Sequence, residues 1–386
     1  MPHAHEHKYQ VCTKCVMDTS SSIISFDENG VCNFCKEYEA YAKVTIDRPE
    51  EVRKKELNEL VAKIKEEGKG KPYDCIIGLS GGVDSSYVAY LVKELGLRPL
   101  AVHFDNGWNS ELAVKNIENI LNVCGFDLQT YVANWDEFRD LQLSYLKASV
   151  IDIEVLSDHM IVATLYKLAD KYKVDYIIGG TNVSTEAILP SDWVFRKTDL
   201  VNLLNIHKKF GKVPLKKYPK IGFFQRMYYQ EFKSIRFVEI LNLVDYKKSE
   251  AKKLIIDKFG WRDYGGKHYE SNWTKFYQGY ILPKKFGVDK RKAHLATLIN
   301  SGQVTREEAL AELAKPSLPP DEEKQLVEYV CVKLGLTIEE FNKIMSEKPV
   351  PHQFYGTEKT DKKIRIALRI INFFLWRIKK RLIYLY

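Results

Sequence analysis

The sequence predicts an α/β fold built on a doubly wound, parallel β-sheet. Between residues 74 and 178, apolar segments of strand length alternate with helical patterns, which is typical of parallel sheets covered by helices on both faces. The chain has 386 residues, 45% of them apolar, and can therefore bury such a core and carry smaller parts as well. We expect five parts in chain order, at 1–45, 46–70, 71–245, 246–350 and 362–386.

The first part holds four of the seven cysteines in two CxxC pairs, Cys12 with Cys15 and Cys32 with Cys35. Two such knuckles fit the tetrahedral coordination of Zn²⁺, and residues 26–31 between them read as strand, turn and strand. We therefore predict a small N-terminal zinc ribbon with a closed, structural site. An iron–sulfur cluster would use the same ligands. A redox pair or disulfides are further alternatives, and disulfides are disfavoured because no secretion signal is recognisable.

A charged helix at 48–67 and a GKGKP breaker lead into the sheet domain. Its predicted strands lie at 74–79, 98–104, 127–132 and 174–178, and its predicted helices at 85–95, 111–122 and 157–172. In such sheets, ligands bind beyond the carboxyl ends of the strands. Residues 80–86, 105–106 and 179–182 fall at such ends, so we expect them to line one crevice.

Residues 80–86, SGGVDSS, form the most informative of these turns. Gly81 and Gly82 allow a tight turn that points amide hydrogens outward at the start of a helix, where anions bind well. Hydroxyl donors come from Ser80, Ser85 and Ser86. The loop lacks the lysine of GxxxxGK[ST]. Asp84 suits an anion site when a divalent cation joins it to phosphates. The pattern therefore predicts a phosphate cradle with Mg²⁺.

This loop, placed after the first strand, resembles the PP-loop of the adenine-nucleotide α-hydrolases, and the likeness covers about residues 70–300. These enzymes cleave ATP between its α and β phosphates and hold the leaving pyrophosphate in the loop. The resemblance implies that pyrophosphate and Mg²⁺ contact Ser80, Gly81, Gly82, Asp84, Ser85 and Ser86. Asp84 and Ser80 are then the catalytic candidates. It also implies that His103 and Phe104, at the end of the second strand, border the adenine.

The region 264–313 carries a more specific likeness. Aromatic and basic residues crowd it, and an ordinary helical domain with a charged face accounts for most of them. Read together with CTKCVMDTS and FDENGVCNFC near the start, however, it is closely similar to the bacterial N-acetyl sugar amidotransferases. This likeness extends over nearly the whole chain to about residue 350. That family acts in surface-polysaccharide pathways such as lipopolysaccharide O-antigen biosynthesis.

The resemblance implies that the amide oxygen of a sugar N-acetyl group is adenylated and that ammonia then displaces AMP, leaving an acetamidino sugar. The sequence shows neither an N-terminal nucleophilic cysteine nor a GxCxG glutaminase elbow. Ammonia is therefore expected from a separate glutaminase subunit. The expected acceptor is a nucleotide-linked N-acetyl sugar, and its candidate contacts are Asn182, Lys275, Arg291 and His294. Helix capping is the alternative role for Asn182.

The net charge of +8 does not indicate a nucleic-acid binder. Eight basic residues and no acidic ones lie in 362–386, so the preceding 361 residues carry 51 basic and 51 acidic side chains. Such a neutral body lacks the electrostatic footprint of nucleic-acid binding. Apolar residues three and four apart in 362–386 predict a basic amphipathic helix that contacts a membrane surface, docks a partner or packs on the body. We expect a cytoplasmic protein with a peripheral contact at the inner face of the membrane.

Two other functions fit parts of the sequence. tRNA-modifying PP-loop enzymes, either thiolases or lysidine-type, also combine zinc ribbons with this loop. The neutral body and the lack of a cysteine suited to sulfur transfer disfavour them. A non-enzymatic scaffold with an inactive loop is disfavoured by the intact Asp84 and hydroxyls.

Overall fold

The computed structural model describes residues 9–265 and 270–369. Within them, five parallel strands form one sheet in the order β3-β2-β1-β4-β5. The strands are β1 (Cys75–Gly78), β2 (Pro99–Asp105), β3 (Asp127–Val132), β4 (Tyr176–Gly179) and β5 (Arg236–Glu239). Successive strands are added first on one side of β1 and then on the other. The predicted doubly wound parallel sheet is therefore confirmed.

Helices surround this sheet and extend beyond it. Before the sheet lie α1 (Asn33–Val44) and α2 (Glu50–Glu67). Around the sheet lie α3 (Val83–Glu94), α4 (Glu111–Cys124), α5 (Trp135–Ala148), α6 (Val155–Tyr172), α7 (Val183–Glu186), α8 (Leu200–Phe210), α9 (Phe223–Met227) and α10 (Lys248–Phe259). The C-terminal region holds α11 (Asn272–Phe276), α12 (Arg291–Asn300), α13 (Arg306–Leu313), α14 (Pro320–Leu334) and α15 (Ile338–Ser346). Among the described residues, Tyr228–Phe232 and Tyr277–Phe286 are π-helical.

The central strand β1 is buried on both faces because helices cover the sheet on both sides. Ile76 packs in a cluster with α6, whereas its neighbour Ile77 packs in another cluster with α2, α3 and α10. This alternation follows from the two-residue repeat of a strand. It explains why β1 is a continuous apolar run in the sequence, as expected for a parallel sheet.

Several elements of the sheet domain, among them β5 and α5, lie where the sequence predicts none. The edge strand β5 is only four residues long and largely exposed, so it lacks the apolar run that marks the inner strands. Helix α5 begins at an Asn134 cap, whose side chain accepts a hydrogen bond from the Glu137 amide at 3.2 Å. Between the two cysteine pairs, the expected strands reduce to a single bridge between Phe26 and Cys32 around a turn.

The predicted tail helix is described only in part. Residues 362–369 are helical, and 370–386 lie outside the described residues. Within 9–265 and 270–369, no helix combines the length and the apolar character that crossing a membrane requires.

Two buried histidines are held neutral by their hydrogen bonds. His159 Nε2 accepts from the Ile221 amide at 3.2 Å, and His352 Nε2 accepts from the Asp152 amide at 3.3 Å. A protonated ring has no lone pair with which to accept such bonds. Burial is the main cause that lowers the pKa of His159 and of His352 to about 4.

Mild acid should therefore weaken this fold. The stabilising contribution of a histidine with a lowered pKa is fully present above its ordinary pKa of 6.5 and is lost as the pH falls toward 4. At pH 5 the loss is about 2 kcal/mol for each of His159 and His352. We expect the free energy of unfolding in urea to fall between pH 7 and pH 5, and to fall less in His352→Gln. Equal decreases in the two proteins would contradict this account.

Candidate active site

The loops after β1 and β4 meet at the point where the strand order reverses. Residues 79–82 follow β1 and lead into α3, while residues 180–182 follow β4 and lead into α7. They touch so closely that a Cβ on Gly180 would lie 3.2 Å from the Asp84 backbone carbon. This is the switch point of the sheet, where ligands of such folds bind. Two of the segments expected to share a crevice are thus in contact.

A network of hydroxyls shapes the SGGVDSS loop. Ser80 Oγ lies 3.0 Å from Ser85 Oγ and accepts a hydrogen bond from the Gly82 amide at 3.2 Å. The Ser86 hydroxyl donates to the Gly82 carbonyl at 2.6 Å and is fully buried. Gly82 caps α3 without a side-chain hydrogen bond to the helix amides. Ser80 is exposed at the loop surface, whereas Ser86 supports the turn from within.

Gly81 is required by both conformation and space. Its φ is +82°, and a Cβ there would lie 2.7 Å from the Ala113 carbonyl oxygen in α4. The opposite side of the turn is held by Trp261, whose indole N–H donates to the Gly81 carbonyl at 2.8 Å. The backbone of the loop is therefore clamped between α4 and the segment after α10.

Two tyrosines from distant parts of the chain reach this loop. Tyr246 donates a short hydrogen bond to Asp84, and the hydroxyl of Tyr264 would lie 3.3 Å from a Cβ on Gly82. Burial raises the pKa of Tyr246, and the neighbouring Asp84 raises it further. Burial and then Glu270 raise the pKa of Tyr264. Both hydroxyls therefore keep their protons, and that of Tyr246 donates to the Asp84 carboxylate. Neither tyrosine is among the site residues that the sequence predicts.

The two candidate adenine contacts lie on β2, beside β1. His103 Nδ1 is 3.0 Å from the Leu79 carbonyl oxygen, and its Nε2 is 3.0 Å from Asn109 Nδ2. The Nδ1 contact joins β2 to the end of β1, and the Nε2 contact joins it to the segment after β2. Phe104 is half-buried, with its ring 6.2 Å from that of Tyr131. Their contact with adenine stays a prediction.

The side chain of Asn182 forms hydrogen bonds within the protein. Its side-chain oxygen accepts from the Thr185 amide at 2.9 Å, and its nitrogen donates to the Gly180 carbonyl at 3.0 Å. The side chain is buried, and it caps α7. The structure thus shows the capping role that was the alternative for this residue, which shapes the loop after β4.

The three other acceptor candidates also have protein partners. Lys275 pairs with Glu322, and Arg291 forms an ion pair with Asp289 at 2.7 Å. His294 Nδ1 lies 3.0 Å from the Thr185 carbonyl oxygen. The contact of His294 reaches α7, in the segment after β4. Acceptor binding by Lys275, Arg291 and His294 stays a prediction.

The four N-terminal cysteines form one buried cluster. Their Sγ atoms all lie within 4.8 Å of one another, with 3.9 Å between Cys12 and Cys35 and 3.7 Å between Cys15 and Cys32. A tetrahedral ion with Zn–S bonds of about 2.3 Å places its sulfurs about 3.8 Å apart. The Cys15 and Cys32 amides donate to Cys12 Sγ at 3.4 and 3.2 Å, and hydrogen bonding, first from Cys15, lowers the pKa of Cys12. These spacings fit a single tetrahedral metal ion.

The cluster is attached to the C-terminal helices. Asn300 Nδ2 donates to Cys35 Sγ at 3.3 Å, and Arg306 donates to the carbonyls of Cys12 and Cys15 at 3.1 Å each.

We expect Cys32→Ser to lose bound metal and to destabilise the protein by several kcal/mol, because a structural ion contributes directly to folding. Cys124→Ser, outside the cluster, should keep one ion per chain. Metal analysis and thermal unfolding check this, and a full metal content in Cys32→Ser would contradict it.

Comparison with known proteins bears on both halves of the chain. Residues 270–369 match the family model described as "LPS biosynthesis protein WbpG-like, C-terminal domain". An uncharacterized protein of Methanocaldococcus jannaschii is 26% identical over 317 residues, which is 80% of this chain and 95% of that protein. A tRNA-specific 2-thiouridylase of Fusobacterium nucleatum is 29% identical over 29% of this chain and 34% of its own length. Among solved structures, NMN synthetase from Francisella tularensis covers 57% of this chain and 90% of its own, with 16% identity and a TM-score of 0.28.

Residues 270–369 are thus similar to a WbpG-like C-terminal domain, and a shorter part of the chain is similar to a tRNA-specific 2-thiouridylase.

Proposed function

We propose that this chain, which combines a loop resembling the PP-loop with a WbpG-like region at 270–369, is an ATP-dependent N-acetyl sugar amidotransferase that makes an acetamidino sugar for a surface polysaccharide. The observation that carries the proposal is the combination of the SGGVDSS loop at the sheet's switch point with residues 270–369 of WbpG-like type. The loop supplies a site for pyrophosphate, and the C-terminal domain supplies the connection to lipopolysaccharide biosynthesis.

The reaction proceeds in two balanced steps. The amide oxygen of the N-acetyl group attacks the α-phosphate of ATP, the bond to the β-phosphate breaks, and the nitrogen proton is lost to give an O-adenylated imidate and pyrophosphate. Ammonia then adds to the imidate carbon, the C–O bond to AMP breaks, and a proton leaves to give the amidine. Orientation and electrostatic stabilisation are the main contributions expected from the protein.

Within this proposal the loop binds the leaving pyrophosphate. Backbone amides at the start of α3 and the hydroxyls of Ser80 and Ser85 would contact its oxygens, and Asp84 would hold Mg²⁺, which would offset the negative charge of the phosphates. Tyr246 orients Asp84 through the hydrogen bond between them. The four-cysteine cluster would hold Zn²⁺ and act in folding, because four thiolates leave no open coordination position.

The cysteines argue against sulfur transfer, which needs a reactive thiolate. Four of the seven belong to the metal cluster. Burial raises the pKa of the remaining three, Cys75, Cys124 and Cys331, in the case of Cys124 to about 11. A thiolase-type reaction on tRNA is therefore the weaker candidate. Nitrogen is instead supplied as ammonia, by a separate glutaminase subunit that docks on this chain.

The test measures AMP release with ATP, Mg²⁺, ammonium chloride and nucleotide sugars. UDP-N-acetylglucosamine, UDP-N-acetylgalactosamine and their uronic acids are the substrates, while UDP-glucose, which lacks the acetamido group, is the matched control. We expect AMP release with at least one N-acetyl sugar and none above background with UDP-glucose. AMP release that is stimulated by tRNA and by no sugar in the panel would overturn the proposal.

A further inference from the structure

A polar cavity of about 330 Å³ lies between the cysteine-containing segment and the sheet domain. Helices α1, α2 and α7, the loop after β5 and the end of α12 contribute to its walls. It lies away from the four cysteine sulfurs themselves, but Asn300, which binds Cys35 Sγ, is one of its lining residues. The cavity therefore depends on the docking of the first 45 residues against the rest of the chain.

The inner wall of this cavity is shared with the candidate active site. Tyr246 lines the cavity, is 3% exposed, and donates its hydroxyl hydrogen bond to Asp84 in the SGGVDSS loop. Ser184, another buried lining residue, lies in α7 directly after the loop that contacts Asp84. Tyr246 thus connects the wall of the cavity with the carboxylate that we place beside the pyrophosphate.

Charged side chains line both the mouth and the interior of the cavity. At the mouth, Asp47, Asp245 and Lys247 are exposed, and Lys247 forms an ion pair with Asp245 at 3.4 Å. In the interior, Arg53 is only 8% exposed, and its guanidinium donates to the carbonyls of Arg48 and Val244. The charges at the mouth partly offset one another, while the buried positive charge of Arg53 disfavours a cation farther in.

The interior also contains an acceptor that the protein does not satisfy. The side-chain oxygen of Asn300 is buried and has no hydrogen-bond partner among the described residues. Such a group costs about 1–3 kcal/mol unless a donor reaches it. A small neutral donor of hydrogen bonds would remove this cost without adding charge near Arg53.

We propose that this cavity is the route by which ammonia reaches the active site; the inference rests on the amidotransferase function proposed above. Ammonium loses a proton to solvent at the mouth, before it passes Arg53, and moves past Tyr246 as neutral ammonia. Its lone pair then forms the bond to the imidate carbon, AMP leaves with the electrons of the C–O bond, and the nitrogen releases one proton. The same mouth is where a glutaminase subunit would deliver ammonia.

The route is tested by blocking the cavity with an indole. Ser301 and Ser249 both line it, Ser301 half-buried and Ser249 exposed at the start of α10. The variants Ser301→Trp and Ser249→Trp are compared with Ser346→Trp, where an exposed serine near the end of α15 lies away from the cavity. The two blocking variants should raise the KM for ammonium chloride at least about tenfold while leaving the KM for ATP unchanged. They should also release more AMP per amidine formed, because water then consumes the imidate.

Each outcome has a distinct meaning. A KM for ammonium that is equal in folded Ser301→Trp, Ser249→Trp and Ser346→Trp would overturn the route while leaving the amidotransferase function in place. A wild-type protein that releases no AMP with any N-acetyl sugar would instead overturn the function, and the route with it. Because Ser249 is exposed, Ser249→Trp keeps the test valid if Ser301→Trp fails to fold.

Discussion

Replacing Asp84 with Asn should lower the rate of AMP formation by at least about a thousandfold while the protein stays folded. Asn keeps the size of the side chain but loses the negative charge that we expect to hold Mg²⁺ against the pyrophosphate. Asp84 lies in the first turn of α3, beside the loop after β4. The measurement is AMP release as a function of Mg²⁺ concentration, with near-ultraviolet circular dichroism as a check of folding.

Two control variants separate this role from general damage. Tyr246→Phe removes only the donor to Asp84. It should lower the rate of AMP formation about tenfold, mainly because Mg²⁺ binds more weakly. Asp257→Asn, at an exposed position on α10, should leave the rate unchanged. Full activity in Asp84→Asn would show that the carboxylate has no part in the reaction.

Replacing Gly81 with Ala is the second change with a large expected effect. The alanine must keep a φ near +82°, and its methyl group would lie 2.7 Å from the Ala113 carbonyl oxygen. Either the loop or α4 therefore has to shift. We expect a loss of about 2–4 kcal/mol in the free energy of unfolding and loss of measurable Mg²⁺–ATP binding. Urea unfolding and titration calorimetry provide the two readouts.

Gly70→Ala is the matched control for this prediction. Gly70 has a φ of +73°, but a Cβ there would meet nothing within 4 Å. Only the backbone strain remains, which costs about 1 kcal/mol, and nucleotide binding should be unchanged. If Gly70→Ala and Gly81→Ala change the free energy of unfolding and nucleotide binding equally, the close approach of the loop to α4 contributes to neither.

The sequence predicts best those elements whose local pattern of residues agrees with their place in the tertiary structure. Buried strands such as β1 are continuous apolar runs, and β3 was predicted over the same residues, 127–132, that form it. The paired cysteines and the glycines of the SGGVDSS loop also act through local geometry. The exposed edge strand β5 has no such pattern, because only its pairing with β4 defines it.

The surroundings of the loop could not be predicted in the same way. Trp261 and Tyr246 reach it from more than 160 positions along the chain, and no local pattern distinguishes them from other buried aromatics. Lys275 and Arg291 were chosen for their charge, but the sequence does not reveal that Glu322 and Asp289 lie beside them. Pairing of charges is a tertiary property, and it decides which basic groups are available for a ligand.

The path of a single oxygen atom tests the account most directly. With an acceptor sugar carrying ¹⁸O in its N-acetyl carbonyl, turnover with ATP and ammonium should place the label in the phosphate of AMP, with one pyrophosphate and one amidine formed for each AMP. Mass spectrometry of the nucleotide reads this out. Formation of ADP and orthophosphate, or AMP without the label, would contradict attack of the amide oxygen on the α-phosphate.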